Sequence, residues 1–386
     1  MTLRQRIASV LKSVLLLIVV VLASAELFSM ISVKAGLIKA PAPSYAPPGT
    51  QPFRQDLDPN FGLWHPPHAR MGHVASCFNV TYESNSYGAR DVERVRDGSP
   101  ERTVVLGDSF VEGVGLARED RFTERLEAAL GREHLNFGIA NAGPTHYLQV
   151  YRHLAREFAH DRVIVAVLPN NDFRDDDFEL GRTAFADRYR PYFVRGETGA
   201  WTLIHFDKAN LGTGGNSDEE VRKHRRRAMR QWLTNFSYAK NVWNYVGGLM
   251  KQDAFGMIDM HGAFRSVYDE RPPSGFYDYG PEDLARLEHV LDLLDRESGE
   301  RPVSVVLLPL LLDFNRFRAE GTAPLSKALQ AFASTRPDLD VVDLLPVFAA
   351  QDDPASFYLE CDGHWNARGA ELAARSLLKD VYGKGD

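Results

Sequence analysis

A serine at the end of a short apolar run is the first residue of this sequence placed to do chemistry. Thr103-Val104-Val105-Leu106 is β-branched and apolar, the pattern of a buried strand, and it stops at Gly107-Asp108-Ser109-Phe110. A serine on a sharp strand-to-helix turn stands above the sheet with its own amide at a helix N-terminus. That placement suits nucleophilic attack and stabilisation of a developing oxyanion. Gly-Asp-Ser is also ordinary turn chemistry, so the buried strand before it is what sets this one apart. A second apolar run, Val163 to Leu168, stops at Pro169-Asn170-Asn171-Asp172. Asn171 there has two readings: a turn residue, or a side-chain amide donating to an oxyanion beside the Ser109 amide.

The elements that must position these residues repeat one theme. Strand patterns at 103–106, 135–139, 163–168, 303–308 and 339–342 alternate with helical spacing through Phe122, Leu126 and Leu130, and over 147–158, 281–296, 325–332 and 367–381. Strands alternating with helices argue for a parallel sheet covered on both faces, and right-handed crossovers then give a three-layer α/β/α sandwich. Between about 175 and 280 the alternation lapses, and this stretch reads as an insertion over the active edge of the sheet. Tyr192-Phe193-Val194 and Trp201-Thr202-Leu203 flank a turn and predict a β-hairpin. A helix with a capping box at Ser217 and Glu220 would carry Arg222, Lys223, Arg225, Arg226, Arg227 and Arg230. The simplest reading of that basic run is a solvated helix face; contact with anionic polysaccharide or lipid headgroups is the alternative.

The first 35 residues differ from the rest. Arg4, Arg6 and Lys12 precede an apolar stretch from Val14 that continues, interrupted by Glu26, to about Val33. Ala23-Ser24-Ala25 resembles a signal-peptide cleavage site, but the run persists beyond it and gives roughly the 20 residues that cross a hydrocarbon core. We read 1–35 as a transmembrane anchor in preference to a cleaved signal. Either way the basic flank stays inside and the body faces the periplasm or exterior. Residues 36–73 are rich in proline and read as a linker, with His65, His68 and His73 as surface residues lacking a metal-site partner. A body of 74–382 follows. Net charge is −7 and the pI about 6.0, which gives no support for nucleic-acid binding. Cys77 and Cys361 are the only two cysteines, too few for a disulfide framework, and in an oxidising compartment they are expected to pair.

Four ordered blocks carry a family resemblance. Val104 to Gly115 (Val-Val-Leu-Gly-Asp-Ser-Phe-Val-Glu-Gly-Val-Gly) resembles the first block of the SGNH/GDSL hydrolase superfamily. Asn136 to Gly143 resembles the second, Leu168-Pro-Asn-Asn171-Asp172 the third, and Asp362-Gly-His364-Trp-Asn366 the fifth. Asn85 to Asp91 is similar to the lead-in of a membrane-anchored bacterial subgroup. The resemblance implies Ser109 as nucleophile, His364 as its base and Asp362 as the acceptor that fixes the imidazole. It also implies an oxyanion hole from the Ser109 amide, the Asn171 side chain, and a backbone amide at Asn141 or Gly143. The chemistry asks for the same parts, since a serine hydroxyl is a poor nucleophile until a base removes its proton. Two positions depart from the pattern. The family often spaces its Asp three before the His, where this chain has Cys361; the shorter spacing of Asp362 is like that of alginate-type O-acetylation proteins. The usual oxyanion Gly of the second block aligns with Asn141.

These readings lead to a serine-dependent hydrolase of carboxylic esters, with small acyl esters of envelope glycans or lipids as substrates and no cofactor. An O-acyltransferase modifying an extracytoplasmic polysaccharide would use the same triad. A non-catalytic binding domain with the same fold is the third reading.

Overall fold

The computed structural model describes residues 3–35, 53–74, 77–184, 188–206, 273–359 and 362–384, with scattered positions among 37–43 and 208–246. The chain starts with a helix, Leu3–Lys34, whose residues from Val14 to Leu22 all point outward. Among the described residues it is the one helix long and apolar enough to cross a membrane. Two short antiparallel pairs follow: Gln55–Asp58 (β1) with Gly62–Trp64 (β2), and Arg70–Val74 (β3) with Asn79–Glu83 (β4).

The core is a five-stranded parallel sheet. Its strands are Thr103–Gly107 (β5), His134–Gly138 (β6) and Arg162–Val167 (β7), then, after an antiparallel hairpin of Arg190–Arg195 (β8) and Trp201–Phe206 (β9), Val303–Leu307 (β10) and Leu339–Asp343 (β11). The spatial order is β11-β10-β7-β5-β6, all neighbours parallel. Every residue of β5, β6 and β10 is buried, as expected of strands covered on both faces. Helices fall into two groups. Phe122–Leu130 packs on Ala367–Asp380; Pro144–His153 packs on Pro281–Ser298, which meets Pro324–Ala333. Right-handed crossovers place the first group on one face and the second on the other, so the three-layer α/β/α sandwich is present.

This order has one topological switch point. From β5 the chain steps outward to β6, then returns across β5 to β7, so the crossovers diverge between β5 and β7. Open α/β sheets bind their ligands in the crevice at such a point, beyond the carboxyl ends of the strands. Ser109 follows β5 and Asn171 follows β7, one on each side of it.

Two expectations are corrected. Residues 36–73 are not a linker throughout: from Phe53 onward the chain is built into the body. Phe53, Phe61, Leu63 and Trp64 are buried, and β3 pairs with β4. The prolines masked four apolar anchors too irregularly spaced to show a period. His65 is not a surface residue but is fully buried, with Nδ1 2.8 Å from the Gly88 carbonyl. His73 is half-buried and bonds the Tyr82 hydroxyl at 2.8 Å; His68 is exposed. The helix Leu311–Glu320 was not expected either, because the leucines that follow the strand carry no helical period of their own. Asp313 starts the helix by accepting from the Leu310 N–H at 2.7 Å. Of the basic run, Arg222, Arg225 and Arg226 are helical and exposed, whereas Ser217, Glu220, Lys223, Arg227 and Arg230 lie outside the described residues.

Candidate active site

The turn that carries Ser109 is built from β5 outward. Asp108 caps a single helical turn, Ser109–Glu112, by accepting from the Phe110 N–H at 2.8 Å. Gly113 closes the turn in the left-handed region (φ 80°), where a side chain would be strained. Gly138, at the end of β6, lets this turn lie directly on the sheet: a Cβ there would stand 2.2 Å from the Glu112 nitrogen. Ser109 is therefore held at the switch point with 7% of its surface exposed.

The second component is the loop between β11 and the last helix. His364 Nε2 lies 2.7 Å from Ser109 Oγ, and His364 Nδ1 is hydrogen-bonded to Asp362 Oδ1. With the Nδ1 proton donated to Asp362, Nε2 presents its lone pair to the serine hydroxyl. Asp108 Oδ2 is the other acceptor near that hydroxyl, farther off at 3.4 Å. Burial opposes ionisation of Asp362, yet the hydrogen bond and charge of His364 outweigh it and hold the carboxyl below its ordinary range. The loop is short and cross-tied. The Leu359 N–H donates to the His364 carbonyl at 2.7 Å, and Tyr358 bridges Trp365. Asn366 anchors its far end: its Oδ1 accepts from Arg368 and Gly369, and its Nδ2 donates to the Ser356 and Tyr358 carbonyls. Phe110 packs against His364, its ring 4.8 Å from the His364 ring and 5.0 Å from Trp365.

The candidate oxyanion donors follow the carboxyl ends of β5, β6 and β7. The N–H groups of Ser109, Asn141 and Gly143 have no acceptor among the described residues. Asn141 is exposed with φ 62°, a left-handed conformation that Asn tolerates better than most residues. Gly143 is buried against Asp176. After β7, the two neighbouring asparagines have different employment. Asn170 is consumed: its Nδ2 donates to both oxygens of Asp313 and its Oδ1 accepts from the Gly275 N–H. Asn171 accepts from Arg174 at Oδ1 (2.6 Å), which leaves its Nδ2 hydrogens as the end without a partner among the described residues.

Buried carboxyls lie beneath. Burial pushes Asp108 up to about 6, against the pull of its bond from Phe110. Asp172 is fully buried and held well above the carboxylate range, first by burial and then by the charge of Asp108. The Tyr147 hydroxyl sits between Asp172 Oδ1 (2.9 Å) and the Ala142 carbonyl (2.8 Å). One hydroxyl proton cannot serve two acceptors, so the geometry is satisfied with a proton on Asp172 donated to Tyr147.

Sequence reading missed one group at this site. Glu112, fully buried at the end of the turn that carries Ser109, is paired bidentately by Arg54 and accepts from the Ala140 N–H. Arg54 comes from the stretch read as linker, and nothing in its surroundings signalled it. Cys77 is disulfide-bonded; Cys361, the only other cysteine in the sequence, lies outside the described residues.

No family model and no curated protein matches the sequence. Among solved structures, similar chains include a lipolytic protein of the G-D-S-L family from Veillonella parvula (11% identity, 73% of this chain and 98% of that one, TM-score 0.37). A lipase/acylhydrolase from Enterococcus faecalis aligns at 13% identity over 73% of this chain and 96% of its own, TM-score 0.36. A carbohydrate esterase family 2 enzyme from Corynascus thermopiles aligns at 11% identity, 78% of this chain and 71% of its own, TM-score 0.37. Asp362, His364 and Ser109 form one chain of hydrogen bonds at the switch point of the sheet.

Proposed function

We propose that this protein is a serine-dependent esterase that works through an acyl-enzyme on Ser109, in the manner of the SGNH/GDSL hydrolases its motifs resemble. The observation that carries the reading is the 2.7 Å contact between His364 Nε2 and Ser109 Oγ, with Nδ1 held by Asp362. His364 takes the serine proton as Oγ attacks the ester carbonyl. The tetrahedral oxyanion then receives hydrogen bonds from the Ser109 and Asn141 N–H groups and Asn171 Nδ2. Asn141 is preferred to Gly143 because it is exposed, while Gly143 is packed behind Asp176. His364 returns its proton to the departing alkoxide, leaving the acyl-enzyme. An incoming hydroxyl, deprotonated by the same imidazole, releases the acyl group. Water as that acceptor gives hydrolysis; a glycan hydroxyl gives O-acyl transfer.

The apolar, outward-facing helix Leu3–Lys34 supports membrane anchoring, and its basic start supports a body on the exterior side, where esters of envelope glycans or lipids are within reach. A fluorophosphonate probe should label the wild-type protein at Ser109, and Ser109→Ala should lose both labelling and aryl-acetate turnover. Labelling that persists at another serine would remove the assignment. Running the turnover with and without a glycan acceptor, and analysing the glycan for acetyl esters, separates hydrolase from transferase.

A further inference from the structure

A fully buried charged group on the turn that carries Ser109 has no part in the catalytic scheme. Glu112 ends that turn with no exposed surface, and a lone carboxylate in such a place is expensive. Its partners come from three separate pieces of chain. Arg54 Nη2 donates to Oε1 at 2.6 Å and Arg54 Nε to Oε2 at 2.9 Å. His65 Nε2 lies 3.4 Å from Oε1, with its other ring nitrogen on the Gly88 carbonyl. The Ala140 N–H donates to Oε2 at 2.6 Å. Burial alone would raise this carboxyl, but the Arg54 guanidinium beside it holds it well below the carboxylate range.

The third bond connects this cluster to the reaction. Ala140 directly precedes Asn141, which stands in a left-handed conformation with its N–H unpaired among the described residues. The loop after β6 has few other bonds near this point: Ile139 donates to the Gly107 carbonyl, and the next tie is at Ala142, whose carbonyl accepts from the Tyr147 hydroxyl. The Ala140 N–H is therefore the last fixed point before the Asn141 amide. Glu112 is on the same helical turn as Ser109, so one carboxylate sets the distance between the nucleophile and that amide. We propose that Glu112 is a positioning residue: anchored by Arg54, it fixes the Ile139–Ala140 peptide through the Ala140 N–H and so sets the Asn141 N–H, one residue on, to face the oxyanion formed at Ser109. This rests on the esterase reading above. It gives the N-terminal segment carrying Arg54 a part in catalysis without touching substrate.

The test separates the acceptor from the charge, using the full chain in detergent with an aryl acetate. Arg54→Met with Glu112→Gln removes both charges but keeps a carbonyl for the Ala140 N–H. Arg54→Met with Glu112→Leu removes the charges and the acceptor together. The Leu pair should lose about 10–100-fold in kcat with KM little changed, because a misaligned donor is felt as charge develops and not in the ground state. Fluorophosphonate labelling, which forms a tetrahedral adduct in the same hole, should slow by a similar factor. The Gln pair should recover kcat to within a few-fold of wild type. Equal kcat in the two pairs, or a loss confined to KM, overturns the proposal. Should the Leu pair fail to fold, Glu112→Asp keeps the charge and draws the acceptor back by one methylene; a wild-type kcat in that variant also overturns it. Failure of the esterase reading is seen separately, as turnover that survives Ser109→Ala.

Discussion

The two halves of the candidate active site are held in different ways. The turn carrying Ser109 is enclosed: Ser109 is 7% exposed, and Phe110, Val111 and Glu112 are buried with it. Its bonds run to β6, to the N-terminal segment and to its own cap. The loop carrying His364 is more open, with His364 and Asp362 side chains 22% and 28% exposed. It is held by local bonds across a few residues, by Asn366 at its end and by the Phe110 and Trp365 rings. The turn thus has packing and buried charge invested in it, whereas the His364 loop has mainly orientation. Changes in the loop should therefore register in rate, and changes under the turn in stability as well.

Three measurements test that contrast. The largest effect belongs to His364→Ala, which should lower kcat by about 10⁴–10⁶-fold, as in other serine triads. Thermal melting should barely move, because the side chain is partly exposed and its loop has other ties; a melting loss comparable to that of a core deletion would break the contrast. Asn171→Ala should lower kcat by about 10²–10³-fold with KM nearly unchanged, if Nδ2 meets the oxyanion. A change of only a few-fold would return Asn171 to the role of a turn residue. The smallest effect is one of stability. Burial raises Asp108 from 3.8 to about 6, so the folded state binds its proton more tightly than the unfolded chain does. The stabilisation is complete below pH about 4 and is lost as pH rises through about 6. A shift of roughly two units corresponds to about 3 kcal/mol at most. Asp108→Asn keeps a competent cap and removes the titration. Melting curves of the two proteins between pH 4 and 7 should converge or cross, with wild type losing ground as pH rises. Parallel curves would mean that Asp108 does not titrate in that window.

Much of the sheet was legible because its strands are short β-branched runs bounded by glycine, proline or asparagine, and its helices keep a 3.6-residue period. All five core strands fall within one residue of where the pattern put them at their starts. The helix Leu311–Glu320 was not legible, since three leucines after a strand carry no period of their own. The N-terminal segment was misread for a related reason. Phe53, Phe61 and Trp64 anchor it individually, and single anchors separated by prolines look like a linker.

Sequence alone determined which residue types stand at the carboxyl ends of the strands, since a strand-ending turn is a local event that Gly107, Pro169 and their neighbours dictate by themselves. It could mark Ser109, Asn171 and His364 as candidates and order them along the chain. Only the tertiary structure decided that His364 reaches Ser109 across 255 residues, that Asn170 is spent on Asp313 while Asn171 is not, and that Arg54 pairs with Glu112. Each of those is a contact between distant segments, made by the order of strands in the sheet, and no local pattern encodes which distant partner a buried polar group will meet.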